Sequence, residues 1–223
     1  MKILVLAAMD KEINLLINIL SEIKEEFTDD IHVYRGGIGH HEVIVAKCGI
    51  GKVNSAINTY KMLEAFHPDL VINSGVAGGA GTPIGSVIIA DRIAYYDVWC
   101  GPGTEYGQAD GVPLFMEADS RILKAAKENS LNTGLICSGD KFVSTAEEIS
   151  FIRSKFPEVK AVDMESASIA QVCTLNGTPF AIIRVVSDTP GEGENITQYK
   201  DFWTIAPEKT FQALTLVLNS LNQ

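Results

Sequence analysis

The sequence predicts an α/β fold: a central, mixed, twisted β-sheet flanked by helices, in one domain spanning residues 1–223. Two observations carry this expectation. Short runs of branched apolar residues, of the length of strands buried on both faces, alternate with segments whose apolar residues recur at helical spacing. No linker, repeat or shift in composition divides the chain, so one layered unit is the economical arrangement.

Taken in order, residues 1–8 (MKILVLAA) form a continuous apolar run and a predicted strand. Ile13, Leu15, Leu16, Ile17, Ile19 and Leu20 follow at mostly helical spacing. Met9, Asp10, Lys11 and Glu12 therefore sit where a strand ends and a helix begins, the edge at which open α/β sheets bind ligands. Residues 33–35 and 42–47 flank Gly36-Gly37-Ile38-Gly39 as a hairpin. Gly49-Ile50-Gly51 precedes a helix reaching about Ala65, and residues 70–73 are another buried strand, capped by Ser74-Gly75-Val76-Ala77-Gly78-Gly79. Residues 87–90 and 93–98 read as two strands, before a Gly- and aromatic-bearing loop at 97–110.

A helix is expected at 121–128, and a strand at 134–137 runs into Ser138-Gly139-Asp140-Lys141-Phe142-Val143. Residues 161–163 are a short strand and 165–175 a helix of small residues. Residues 180–186 make the strongest central strand, ending at Ser187-Asp188. A polar loop at 189–195 (TPGEGEN) leads to a last amphipathic helix over 199–221, interrupted near Pro207.

Charge narrows the partners. With 18 basic and 28 acidic side chains the chain carries a formal net charge of -10. That opposes nucleic acid, which needs a dense basic face, and docking on anionic membranes. A small substrate with little negative charge suits it better. No apolar stretch reaches the length of a membrane helix and no leader is evident, so a cytoplasmic protein is expected. Cys48, Cys100, Cys137 and Cys173 are far apart, without a C-x-x-C pair, which points away from metal ligation and towards buried, reduced thiols. No cofactor is expected. His32, His40, His41 and His67 fall in loop-like contexts, with His40-His41 read as hairpin surface.

Glu12, Glu165 and Asp188 each fall just after a predicted strand, and strand ends on one edge of a twisted sheet converge. A single acid near a helix start needs no function, because the helix dipole favours it there. Three acids without a metal-ligand cluster fit glycosidic chemistry: one group protonates the leaving side and a carboxylate activates water on the other face.

The stretches MKILVLAAMDKEINLL, AKCGIGKVN, INSGVAGG, EYGQ, SGDKFV, AVDMESASIAQVC and VVSDT, in that order, resemble the bacterial 5'-methylthioadenosine/S-adenosylhomocysteine nucleosidases, on a nucleoside phosphorylase-like fold. The likeness runs from Met1 to about Trp203. It implies that Glu12 activates the attacking water, that Asp188 protonates the purine at N7 with Ser187 orienting it, and that Glu165 holds the ribose hydroxyls. It further implies that Met164 packs under the sugar, that Phe142 stacks on adenine while the backbone of Val143 reads its edge, and that Arg184 lies near the water and the base. Val76, Ala77 and Gly78 would line the same site, and Met9, Ile50 and Tyr199 the 5'-alkylthio pocket. Tyr106 would reach into a neighbouring subunit's pocket, which implies a homodimer. The substrates implied are methylthioadenosine, S-adenosylhomocysteine and 5'-deoxyadenosine.

Three departures stand out. Val76 occupies a position where a hydroxyl residue is common in that family, Asp163 one where Glu is frequent, and the 189–195 loop is acidic and glycine-rich. Three other readings compete. A nucleoside phosphorylase would need an anion cradle, for which the amides of residues 74–79 are candidates. Yet Asp10 and Glu12, with no arginine beside them, would repel phosphate in the first strand-end loop. AMP and futalosine nucleosidases fit poorly with an apolar 5' side. A nucleoside-binding module without catalysis would lack one of the acids, and all three are present.

Overall fold

The computed structural model describes residues 1–205 and 209–221. Its strands are β1 (Lys2–Ala7), β2 (Ser21–Thr28), β3 (Ile31–Ile38), β4 (His41–Lys47), β5 (Leu70–Gly79), β6 (Val87–Tyr95), β7 (Met116–Glu117), β8 (Asn132–Ser138), β9 (Val159–Asp163) and β10 (Phe180–Asp188). Its helices are α1 (Asp10–Ile17), α2 (Lys52–Phe66), α3 (Ser120–Glu128), α4 (Ala146–Lys155), α5 (Ser166–Leu175), α6 (Asn195–Ile205) and α7 (Lys209–Ser220).

The sheet is mixed, as expected, and runs β10-β6-β8-β9-β5-β1-β4-β3-β2, with β7 on β6. The long β5 also pairs with β10, so β5, β10, β6, β8 and β9 close into a ring from which β1 to β4 extend. Strand β5 manages this by changing partners along its length: residues 70–73 pair with β1, residues 71–78 with β10 and Gly78–Gly79 with β9. Strands β1, β4, β5 and β10 are mutually parallel along this path, so their carboxyl ends share one edge.

Both faces are covered, which is why the central strands read as unbroken apolar runs. Leu4, Leu6, Ile44, Val71 and Ile182 face Met62 and Leu63 of α2 and Ile169 and Cys173 of α5. Ile3, Val5, Ile72 and Ile183 face Ile13 and Leu16 of α1, Ile122 of α3 and Val217 and Leu218 of α7. Each fully buried large aliphatic contributes roughly 1.5–3 kcal/mol.

Several expectations are corrected. Helix α1 stops at Ile17, and the chain enters β2, a strand the apolar pattern does not announce. Residues 74–79 are not a cap but the second half of β5. The two strands expected at 87–98 are one, β6, with a register shift between Ala90 and Ile93. Helix α4 and the short β7 were also unannounced, although Thr145 and Glu148 form a capping box at the start of α4. Helix α6 begins at Asn195 rather than Tyr199; the break expected near Pro207 lies outside the described residues. His41 is buried, not hairpin surface, with Nε2 3.3 Å from the Leu218 carbonyl oxygen of α7. Cys100 is exposed, whereas the other three cysteines are buried as expected.

Candidate active site

A cavity opens at the shared carboxyl edge, lined by residues of β5 and β10 and by the segments that follow β1, β8 and β9. Glu12, Glu165 and Asp188 all line it, though they come from three separate strand ends.

Glu12 lies in the first turn of α1 and is buried. Its Oε2 accepts the amides of Ala8 (2.9 Å) and Met9 (3.0 Å). Burial raises its pKa above the usual carboxylate range, while the Arg184 charge and the backbone amides pull it back without cancelling the rise. The carboxylate presses against β5 where that strand has no side chain: a Cβ on Gly75 would lie 2.8 Å from Glu12 Oε1. Gly75, read from sequence as part of a cap on the strand, is here the condition for this close approach.

Arg184 is fully buried on β10. Its Nε donates to Asp163 Oδ2 at 2.7 Å, one Nη donates to the Asn73 carbonyl at 3.2 Å, and the other donates to the Asn73 side-chain oxygen. Asp163 also accepts from the hydroxyls of Ser138 and Ser166. Asn73 is fixed in turn by donating to the Leu6 carbonyl at 2.9 Å. The guanidinium is thus locked beside Glu12 by partners on β5 and β9.

Glu165 is the residue from which α5 starts, and its Oε1 accepts the Gly51 amide at 2.9 Å. Burial, then the nearby charge of Asp163, pushes its carboxyl up to about 7. Asp188 ends β10 at a register shift that makes Ser187 an extra residue between the Val186–Ala77 and Asp188–Gly78 pairs. Asp188 Oδ1 accepts from the Ser187 hydroxyl (2.7 Å) and Oδ2 from Asn195 Nδ2 (3.1 Å). Burial raises its pKa against the pull of these two bonds.

The rest of the lining is apolar. Phe142, Val143, Met164, Met9, Ile50 and Tyr199 border the cavity, as do Val76, Ala77 and Gly78 of β5. The Tyr199 hydroxyl donates to Met9 Sδ at 3.4 Å, and its ring meets Phe142 edge-on at 5.7 Å. Tyr106 is the exception among the candidate residues, since it does not border this cavity. Its hydroxyl donates to the Tyr96 carbonyl at 2.8 Å and its ring packs against Phe151 and Phe156.

Sequence reasoning missed Asn73 and Asn195. A polar residue closing the apolar run of β5 was the available signal for Asn73, and an Asn at the end of a polar loop, a common helix start, was the signal for Asn195. The arrangement can hold a flat apolar face, bind hydroxyls, and offer protons or bases from three carboxyls whose pKa values are all raised.

Residues 2–219 match the model of the phosphorylase superfamily, and the chain belongs to it. The 5'-methylthioadenosine/S-adenosylhomocysteine nucleosidase of Geobacillus sp. (strain WCH70) is 37% identical over 233 residues, covering 100% of both chains. A nucleosidase of that name from S. pneumoniae, solved with the transition-state inhibitor MT-ImmA, superposes with a TM-score of 0.94 at 36% identity, covering 99% of this chain and 100% of that one. The one from Colwellia psychrerythraea 34H, in complex with adenine, gives 0.93 at 31% identity, covering 99% and 96%. Within the superfamily, this chain is a member of the 5'-methylthioadenosine/S-adenosylhomocysteine nucleosidase family.

Proposed function

We propose that the chain hydrolyses the N-glycosidic bond of 5'-methylthioadenosine and S-adenosylhomocysteine, and also that of 5'-deoxyadenosine, releasing adenine and the 5-substituted ribose. The observation that carries this reading is three buried carboxyls around one cavity whose remaining wall is apolar and aromatic. Ionised Glu12 takes a proton from water as its oxygen attacks C1' of the sugar. The C1'–N9 electron pair leaves with the purine, and Asp188 delivers its proton to N7. Raised pKa values suit both tasks, since a base works best near neutrality and an acid must still hold its proton there.

Ser187 and Asn195 orient Asp188. Glu165 accepts from the ribose hydroxyls, Met164 packs under the sugar, Phe142 stacks on adenine and the Val143 backbone reads its edge. Val76, Ala77 and Gly78 face the sugar from β5. Arg184 favours the ionised form of Glu12 against its burial, and the developing sugar cation is held between carboxylates, an interaction stronger in the transition state than before it. Met9, Ile50 and Tyr199 take the 5' thioether.

The functional unit is a homodimer on this reading. Val53, Ile57 and Tyr60 form an exposed apolar stripe along α2, next to exposed Ile50, and Tyr106 does not line the cavity of its own chain. Four free thiols fit a cytoplasmic setting. The phosphorylase alternative requires a cation for phosphate, and the arginine bordering the cavity is already engaged by Asp163 and Asn73. Adenine release should proceed at the same rate with and without phosphate; release that requires phosphate would sink the hydrolase reading.

A further inference from the structure

Four cations near the cavity are engaged by carboxylates. Lys47 pairs with Asp10 at 2.6 Å, Lys52 with Asp97 at 2.8 Å, Arg184 with Asp163 at 2.7 Å, and Lys141 with Glu148. Lys11 makes no ion pair among the described residues. Its ammonium lies instead 3.9 Å from the centre of the Trp203 ring and 4.8 Å from that of Tyr199. Aromatic faces hold a cation without neutralising it, so its charge stays available to a third group.

The position matters because Tyr199 is both a platform for Lys11 and a wall of the cavity, bonded through its hydroxyl to Met9. Lys11 therefore stands one side chain beyond the Met9–Tyr199 slot. The interior on the other side is strongly acidic, with Glu12, Glu165 and Asp188 around the space and Asp163 behind it, in a chain of net charge -10. A carboxylate carried out of that slot on a 5' substituent would meet repulsion unless a cation reversed the local sign at the mouth, whereas an ammonium on the same tail would not.

We propose that Lys11 is a specificity-determining residue, pairing with a carboxylate at the far end of the substrate's 5' substituent. The proposal rests on the nucleosidase reading above and adds to it: a nucleoside with an amino-acid tail, S-adenosylhomocysteine, gains from Lys11, and one ending in an uncharged methylthio group does not.

The test compares wild type with K11M, which keeps an unbranched apolar stem and removes the charge. The ratio of kcat/KM for S-adenosylhomocysteine to that for methylthioadenosine should fall about fivefold, through KM, in keeping with one solvent-exposed ion pair. Added salt should lower the same ratio in wild type and leave it unchanged in K11M. The carboxyl methyl ester of S-adenosylhomocysteine, whose tail keeps only its ammonium, should gain nothing from Lys11, and K11M should turn it over at least as well as wild type. An equal loss on both natural nucleosides would overturn the proposal, because it would make Lys11 a latch for α6 or a tuner of Glu12. If wild type cleaves neither nucleoside, the hydrolase reading fails, and calorimetric binding of the two to wild type and K11M decides on Lys11 separately: a preference for the tailed nucleoside that K11M abolishes supports it, and equal binding overturns it.

Discussion

Glu12 Oε2 accepts the amides of Ala8 and Met9, and Oε1 lies against Gly75 of β5, where the Val76 amide also acts on the carboxylate. Glu12→Gln keeps the shape and loses the base. We expect turnover to drop by at least ~10^2–10^4-fold while nucleoside binding, measured by calorimetry, changes little. Near wild-type turnover would remove Glu12 from the mechanism. Asp188→Asn should lose a similar factor, and a substrate whose leaving group needs no protonation should recover most of it. Asp163 contributes differently, since it touches Arg184 and two serines rather than the open cavity wall alone. Asp163→Asn strands a buried guanidinium, so a loss of about 3–5 kcal/mol in urea unfolding is expected. An unchanged midpoint would show that Asn73 alone suffices to hold Arg184.

Strand β5 shows how an element can be misread although its residues are visible. Its glycines resemble a turn in sequence because period and propensity register what a side chain adds, not the space that a missing one frees. Gly75→Ala would place a Cβ 2.8 Å from Glu12 Oε1, and because that neighbour is the end of a side chain the strand can persist while the carboxylate moves. Activity should fall far more than melting temperature. Gly79→Ala should do the reverse, since its Cβ would lie 2.3 Å from the backbone oxygen of Thr82. Elsewhere, legibility followed burial. Strands β1, β4, β8 and β10 were apparent because both faces are covered, whereas β2 (SEIKEEFT) is largely exposed and exists through its pairing with β3. The three acids were apparent as strand ends. Asn73 was not, because its contact with Arg184 spans more than a hundred residues and leaves no local pattern, and Asn195, 7 residues from Asp188, sits in a polar loop with no hydrophobic period to mark it.

At the scale of the molecule, the cavity's raised carboxyls make the fold sensitive to pH. A carboxyl whose folded pKa lies above its unfolded value keeps a proton that the unfolded chain gives up, so stability falls as pH rises through that window. For Glu165 the window runs from its ordinary value of 4.5 to about 7, and burial of Glu12 and Asp188 acts in the same direction. Unliganded protein should therefore lose melting temperature across that range, and Glu165→Gln should flatten the slope; an unaltered slope would show that Glu165 titrates as it does in the unfolded chain. Assembly gives a second check. If Tyr106 completes a partner's site, activity per subunit should fall on dilution below the dimer's dissociation constant, and a monomer proven by sedimentation to retain full activity would refute that role.

The ring made by β5 and β10 closes one end of the sheet, which leaves β2 as the terminal strand at the other. An unpaired strand edge can recruit the same edge of another copy, and at this one Glu22, Lys24, Glu25 and Glu26 stand in a row of eight residues. The segment that hydropathy fails to announce as a strand is therefore also the one that keeps copies from joining edge to edge. Stripping those charges would leave catalysis alone and shorten the protein's life in concentrated solution.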